Sequence, residues 1–391
     1  MRPSGPPNGK EGPLGRVPPG QTTYSLAHVQ ARMRFSIFSV LDDDPSRRAA
    51  RGGDRYEEAL ALAREADRDG LETFWVAEHH FHPGGVLPAP PVFLGAASRE
   101  TRRLRLGVLV AVLPLHRPRE LAEALLTVDR LSGGRLEIGL GSGYIPLEFQ
   151  GYGEDLERRR QAFDERFPEL LSALRGDPLP APGALGGSVR LNIHPVQKPH
   201  PPLWMAVQSR EALPFVARRG LSVAMIPYAS MSGLSELKDR VDLFRGALPP
   251  GLEVRVAAAF HVFVGEDPKP GVEALRTYLG ERLSTQSTHY AARAGKDPEG
   301  SSAEGLIERS LALVGTPEEI RGRLLQIEAT GITDLLGIFD FGGLSPARSR
   351  RSLRSFAQLV GLPRARKGSG PADAVGPASQ TPVPTAAPAP R

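Results

Sequence analysis

A carboxylate and two adjacent imidazoles, Glu78-His79-His80, follow four apolar residues in the stretch FWVAEHHF at 74–81, and His82 and Pro83 come next. Groups of this kind can ligate a metal, move protons near neutral pH, or hydrogen-bond the end of a buried strand. In an extended strand alternate side chains share a face, so Glu78, His80 and His82 would lie together with His79 opposite. Catalytic zinc sites more often take histidines one helical turn apart, which this spacing is not. The reading is therefore no metal, with His79, His80 and Glu78 as candidates for proton transfer or for hydrogen bonding to a bound ligand. A purely structural role for the rings is the alternative.

Two other stretches suit an anion. GSGY at 141–144 and VQSREAL at 207–213 are small, polar strand ends, and the second runs into a helix. Free backbone N–H groups at such places can cradle a phosphate, although ordinary strand-to-helix turns use the same residues. Gly141, Ser142, Gly143, Gln208, Ser209 and Arg210 are the candidates.

These residues need a scaffold that brings strand ends together. The middle of the chain alternates strand-like and helix-like segments. MRFSIFSV (33–40), TFWVAE (73–78), RLRLGVLVAVL (103–113) and RLEIGLG (135–141) read as strands, and so do PLWMAV (202–207), LSVAMIP (221–227), EVRVAAAFHVFVG (253–265) and ITDLLGIFDF (332–341). Helical spacing fills the gaps, at 54–70, 88–100, 117–134, 154–174, 209–219, 233–246, 317–330 and 346–360, and 188–196 reads as part of an inserted hairpin. Thr316, Pro317 and Glu319 mark a capped helix start. About eight strand–helix pairs in one domain give a single (β/α)8 TIM barrel with an insertion after strand 7, at 271–313. Active sites of such barrels sit at the C-terminal strand ends, where the opening stretch falls.

The 391 residues fit one large domain at 32–364, and the Pro/Gly-rich 1–31 and Pro/Ala-rich 365–391 are expected to be disordered tails. The absence of cysteine removes disulfides and thiolate chemistry, and with no signal-type or membrane-length apolar run the expected location is cytoplasmic. The net charge of +5 comes with arginines near the C-terminus that are not interleaved with aromatics, so neither nucleic acid nor membrane is expected as a partner.

At these residues the chain resembles the bacterial luciferase-like flavin monooxygenases. FWVAEHHF is similar to that family's second-strand signature, and 103–144 is similar to its third and fourth units nearly end to end. VGTPEEIRGRL and FDFGGLSPARSRRSLRSFAQLV resemble its last two helices, so the likeness spans about 33–361. The resemblance implies a two-component enzyme in which reduced FMN from a separate flavin reductase binds at the barrel mouth. Oxygen is then activated to oxygenate a small organic substrate. It implies that His79 is catalytic with His80 as neighbour, that a non-prolyl cis peptide falls at Leu109-Val110, and that the phosphate turn falls at Gln208-Ser209. A homodimer is a further implication.

The sequence departs from the family pattern in carrying Ser142 where many relatives have an arginine for the phosphate, so Arg210 is the candidate for the missing charge. Two further readings keep the barrel: a deazaflavin-dependent hydride-transfer enzyme, and a non-catalytic flavin-binding partner subunit. The region 271–313 reads as either a lid or a surface excursion.

Overall fold

The computed structural model describes residues 33–43, 54–82, 84–181, 186–284, 297 and 299–364. The expected tails lie outside these residues, as does 285–296 within the insertion. Eight parallel strands close into a barrel: β1 (Arg34–Ser39), β2 (Thr73–Val76), β3 (Arg105–Val112), β4 (Leu136–Gly141), β5 (Leu203–Val207), β6 (Ser222–Met225), β7 (Val256–Val264) and β8 (Asp334–Ile338). Closure is seen in the register, with Val223 opposite Val256, Asp334 opposite Ala257, and Arg34 opposite Asp334. β7 is nine residues long, and its end beyond the barrel pairs with a short strand, Leu313–Gly315, from the insertion.

The outer helices used below are α1 (Arg55–Arg68), α2 (Pro90–Glu100), α3 (Pro118–Ser132), α4 (Pro146–Tyr152), α5 (Arg159–Arg175), α6 (Leu213–Arg218), α7 (Leu234–Gly246) and α8 (Lys269–Ser284). Asp54 caps α1 by accepting from the N–H groups of Tyr56 and Glu57, and Gly133 ends α3 in the left-handed region at φ 68°. The expected capping box at Thr316 and Glu319 is present. The helix expected at 154–174 is present but starts later, as α5 at Arg159 after a 3-10 turn at Leu156–Arg158, and α4, which ends at Gly153 in the left-handed region at φ 70°, is a separate helix not expected from the sequence. The inserted hairpin expected to include 188–196 is present, with two-residue strands Leu179–Pro180 and Ser188–Val189, so its first strand lies earlier and its second covers only the start of that stretch.

The core has two shells. Leu, Val and Ile side chains between strands and helices form the outer one. Inside the barrel, Trp75 and Trp204 meet edge to face with centroids 5.4 Å apart, whereas Ala224, Ala257 and Ala259 are small. The tryptophan explains Gly107, since a Cβ there would come within 2.2 Å of the Trp75 ring. At the N-terminal strand ends Glu137 accepts from Arg105 at 2.6 Å, from Arg255 at 3.0 Å and from the Trp204 indole at 2.6 Å. Asp334 accepts from Arg255 and, at 3.2 Å, from Arg34. This end of the barrel is thus plugged by paired charge. No helix among the described residues is long and apolar enough to cross a membrane.

Candidate active site

A cavity of about 530 Å³ opens at the opposite, C-terminal end of the strands. That volume is in the range of small-molecule and cofactor sites. Its wall includes Glu78 and His79 after β2, Leu109 and Val110 in β3, Gly141, Ser142 and Gly143 at the end of β4, and Gln208 and Ser209 after β5. The fold therefore brings together most of the residues singled out in the sequence. Two stand apart: His80 is buried but off the cavity wall, and Arg210 is exposed and also off it. The cationic side chains at the wall are Arg159 and Arg160, on the first turn of α5, and Arg282 in α8.

The peptide bond Leu109–Val110 is cis, as the resemblance implies, and it lies where the β3–β4 register shifts between Val108 and Ala111. Gly143 has φ 75°, and a Cβ on it would press into Phe149 and Val112 at 2.6 and 2.8 Å, so both backbone and space require glycine. The Gln208 carbonyl is held by Arg240 at 2.6 Å, while its side-chain oxygen is buried without a protein partner among the described residues. A buried acceptor of this kind calls for a donor, from solvent or a ligand.

The strand reading of the histidines is corrected here. β2 ends at Val76, and Phe81 takes φ 64°, so the chain turns and alternation fails. His79 and His82 consequently come together, with ring centroids 5.0 Å apart, while His80 points to Glu78. The organiser is Glu148 on α4. Its Oε1 accepts from His79 Nδ1 at 3.0 Å, from the His80 backbone N–H at 3.0 Å and from His82 Nε2 at 3.2 Å. His82 Nδ1 in turn accepts from the Gly84 N–H at 3.1 Å, which fixes its tautomer. With Nδ1 of His79 committed to the carboxylate, Nε2 is the ring atom left for the cavity.

Electrostatics follow from this wiring. Burial pushes the Glu148 carboxyl up, but the hydrogen bonds from His79 and His82 outweigh it and hold the group down at about 2. Burial lowers the His79 imidazole, and Glu148 only partly offsets that, so the ring is neutral at neutral pH. Glu78 forms a second station: buried, yet held below the usual range by His116 at 2.8 Å and His80 at 3.0 Å. Tyr152 completes it, 3.1 Å from His80 Nδ1. His79, His82 and Glu148 also have their ligand atoms within 4.8 Å of one another, close enough to hold a cation. Their donors and acceptors already match without one, and the Arg282 charge acting on His79 opposes a second cation there. Chemically, the site offers a neutral imidazole oriented by a carboxylate, beside turns suited to a phosphate.

Glu148, His116, Arg159 and Arg160 were not found from the sequence. Glu148 carried one weak signal, a carboxylate in the short stretch IPLEFQGY between two glycine turns.

Comparisons with known proteins bear on the family and the fold. The sequence model described as luciferase-like monooxygenase matches residues 33–334. An uncharacterised protein of Sinorhizobium fredii, y4wF, is 32% identical over 81% of this chain and 93% of its own length. The oxygenase component of the flavin-dependent trigonelline monooxygenase of Acinetobacter baylyi is 28% identical over 50% of this chain and 54% of its own. Among solved structures, the oxygenating constituent of 3,6-diketocamphane monooxygenase from Pseudomonas putida, in complex with FMN, shares the fold at a TM-score of 0.68. It is 19% identical and covers 84% of this chain and 98% of its own.

Proposed function

The chain belongs to the luciferase-like monooxygenase family, and from that premise we propose that it is the oxygenase of a two-component system that takes reduced FMN from a separate reductase. Membership makes it a flavin-dependent oxidoreductase that uses molecular oxygen. The observation that carries the finer reading is the single cavity that joins His79 to the turns at Gly141–Gly143 and Gln208–Ser209.

The residues fit the cofactor. Backbone N–H groups of the two turns, with Arg159 and Arg160, would hold the phosphate, and the unpartnered Gln208 oxygen would accept from a ligand donor. Leu109, Val110, Met205 and Ala206 supply apolar wall for a flat ring system. When bound, reduced FMN supplies the electrons that activate oxygen. His79 Nε2 then gives and takes protons at the reacting end of the cavity, and Glu148 holds the ring in the tautomer that leaves Nε2 as acceptor. The apolar walls keep bulk water from the reacting atoms.

The test is oxygen consumption and product formation with chemically reduced FMN, against a reduced deazaflavin control. Substrate-dependent oxygen uptake with FMN supports the reading. Hydride transfer from the deazaflavin without oxygen uptake replaces it with the deazaflavin alternative, and FMN binding without any turnover replaces it with the partner-subunit alternative.

A further inference from the structure

Three arginines among the described residues are buried: Arg55, Arg240 and Arg282. Arg55 pairs with Asp42, Glu58 and Asp340, and Arg240 pairs with Glu236. Arg282, near the end of α8, is 7% exposed and has no carboxylate partner among the described residues. Its Nε donates to the Tyr278 hydroxyl at 2.9 Å, and Tyr278 shares a 3.0 Å hydrogen bond with Tyr228. The Tyr144 hydroxyl lies against it as well. Arg282 and all three tyrosines line the cavity. Taking a guanidinium out of water is costly unless an anion or several good acceptors compensate it, and phenols are weak acceptors for five N–H donors.

We propose that Arg282 binds an anionic group, a carboxylate, of the organic substrate. The proposal rests on the reading of the cavity as an oxygenase site and adds the chemical class of substrate it admits. A planar fork matches a carboxylate with two parallel hydrogen bonds. The flavin phosphate is the other anion the cavity would take, and Arg159 and Arg160, the other cationic side chains of its wall, are the candidates for it under the proposed function. The charge of Arg282 is felt instead at His79 and at His261, on the side where protons move. A substrate anchored there by its acid group would hold its remaining atoms within the reach of His79.

The experiment is calorimetric titration of the FMN-loaded protein with matched probes, benzoate against benzamide and hexanoate against hexanamide. The wild type is expected to prefer each acid roughly tenfold or more, and Arg282→Gln to lose that preference while keeping its affinities for FMN and riboflavin. Arg282→Lys, which keeps the charge without the fork, is expected to fall between and serves if Arg282→Gln does not fold. Equal binding of acid and amide by the wild type overturns the proposal. So does a preference that survives Arg282→Gln, or a variant weakened for FMN but not for riboflavin, which would give Arg282 to the phosphate. The titrations are repeated without FMN. An acid preference in protein that binds no flavin would keep the Arg282 site and remove the flavin reading, so the two failures are separable.

Discussion

At the N-terminal end of the barrel, Glu137 and Asp334 are enclosed by Arg105, Arg255 and Arg34, and every charge has an opposite beside it. At the C-terminal end, Glu148 is shared by two imidazoles, Gln208 has a bare oxygen, and Arg282 faces a cavity. Large rings fill the interior near the first end, and alanines leave space toward the second. The same eight strands thus carry a plug whose polar groups are satisfied internally and a mouth whose groups are left for something else. The difference shows where stability and chemistry have been separated in one fold.

The sharpest way to break the comparison is to damage each end. His79→Ala at the mouth is expected to leave the thermal midpoint nearly unchanged and to lower turnover by roughly 10²–10⁴-fold, the usual contribution of an acid–base group. Glu137→Ala at the plug is expected to do the reverse. It strands Arg105, Arg255 and the Trp204 N–H, and breaking a buried pair costs about 3–5 kcal/mol. Denaturant unfolding beside turnover per folded molecule checks both, and a stability loss at His79 equal to that at Glu137 would erase the distinction.

Next in size is Glu148→Gln. The amide keeps a hydrogen bond but loses the charge that holds two rings, so turnover is expected to fall roughly tenfold to a hundredfold, the scale of a hydrogen bond to a charged group. The variant also has a pH signature. The Glu148 carboxyl, at about 2 in the folded protein, sits below its ordinary value, so the unfolded chain takes the proton first as pH falls. Its stabilisation is complete above the ordinary carboxylate range and is lost as pH falls toward 2. Acid unfolding curves of Glu148→Gln should therefore be flatter than the wild type's in that window.

How much of this was legible in the sequence differs between the two ends in a physical way. Period-2 and period-3.6 hydrophobicity gave the strands and helices, because burial on one face or two leaves a repeating trace. His79 was legible for the same reason, as a titratable group at a strand end. Glu148 was not, because α4 is only seven residues long and its role depends on a fold that carries it to a strand over 60 positions away. Nor was the meeting of His79 and His82, which requires the left-handed Phe81. Arg282 lies in a helix where its spacing looks like any solvated arginine, and nothing local says that its head is buried. Arg210 is close in sequence to the phosphate turn but off the wall, whereas the cationic side chains at the wall, Arg159, Arg160 and Arg282, come from α5 and α8, which only the fold carries there.

Smaller effects sharpen the picture of the mouth. Arg159→Ala with Arg160→Ala is expected to weaken FMN binding several-fold to roughly tenfold and to leave riboflavin binding alone, as the loss of charge-assisted contacts to a phosphate would. Equal losses for both flavins would take these arginines off the phosphate. The smallest effect concerns His261 in β7, whose two ring nitrogens find no partner among the described residues and which burial, with the Arg282 charge, holds down at about 3. Unfolding exposes a ring of ordinary basicity, so the stability this neutral ring contributes is full above about 6.5 and is lost as pH falls toward 3. His261→Phe should flatten the wild type's loss of thermal midpoint in that range and be neutral or mildly stabilising at pH 7.

The central claim, that the mouth binds reduced FMN beside a proton-handling His79, is tested most directly by one measurement. Protein and reduced FMN are mixed without air, then mixed rapidly with oxygenated buffer, and flavin absorbance is followed for the wild type and His79→Ala. The account predicts stoichiometric binding in both, with a reoxidation course that differs from that of free reduced FMN and that changes in rate and pH dependence in the variant. Reoxidation indistinguishable from that of free FMN, or the same course and pH dependence with and without the imidazole, would contradict it.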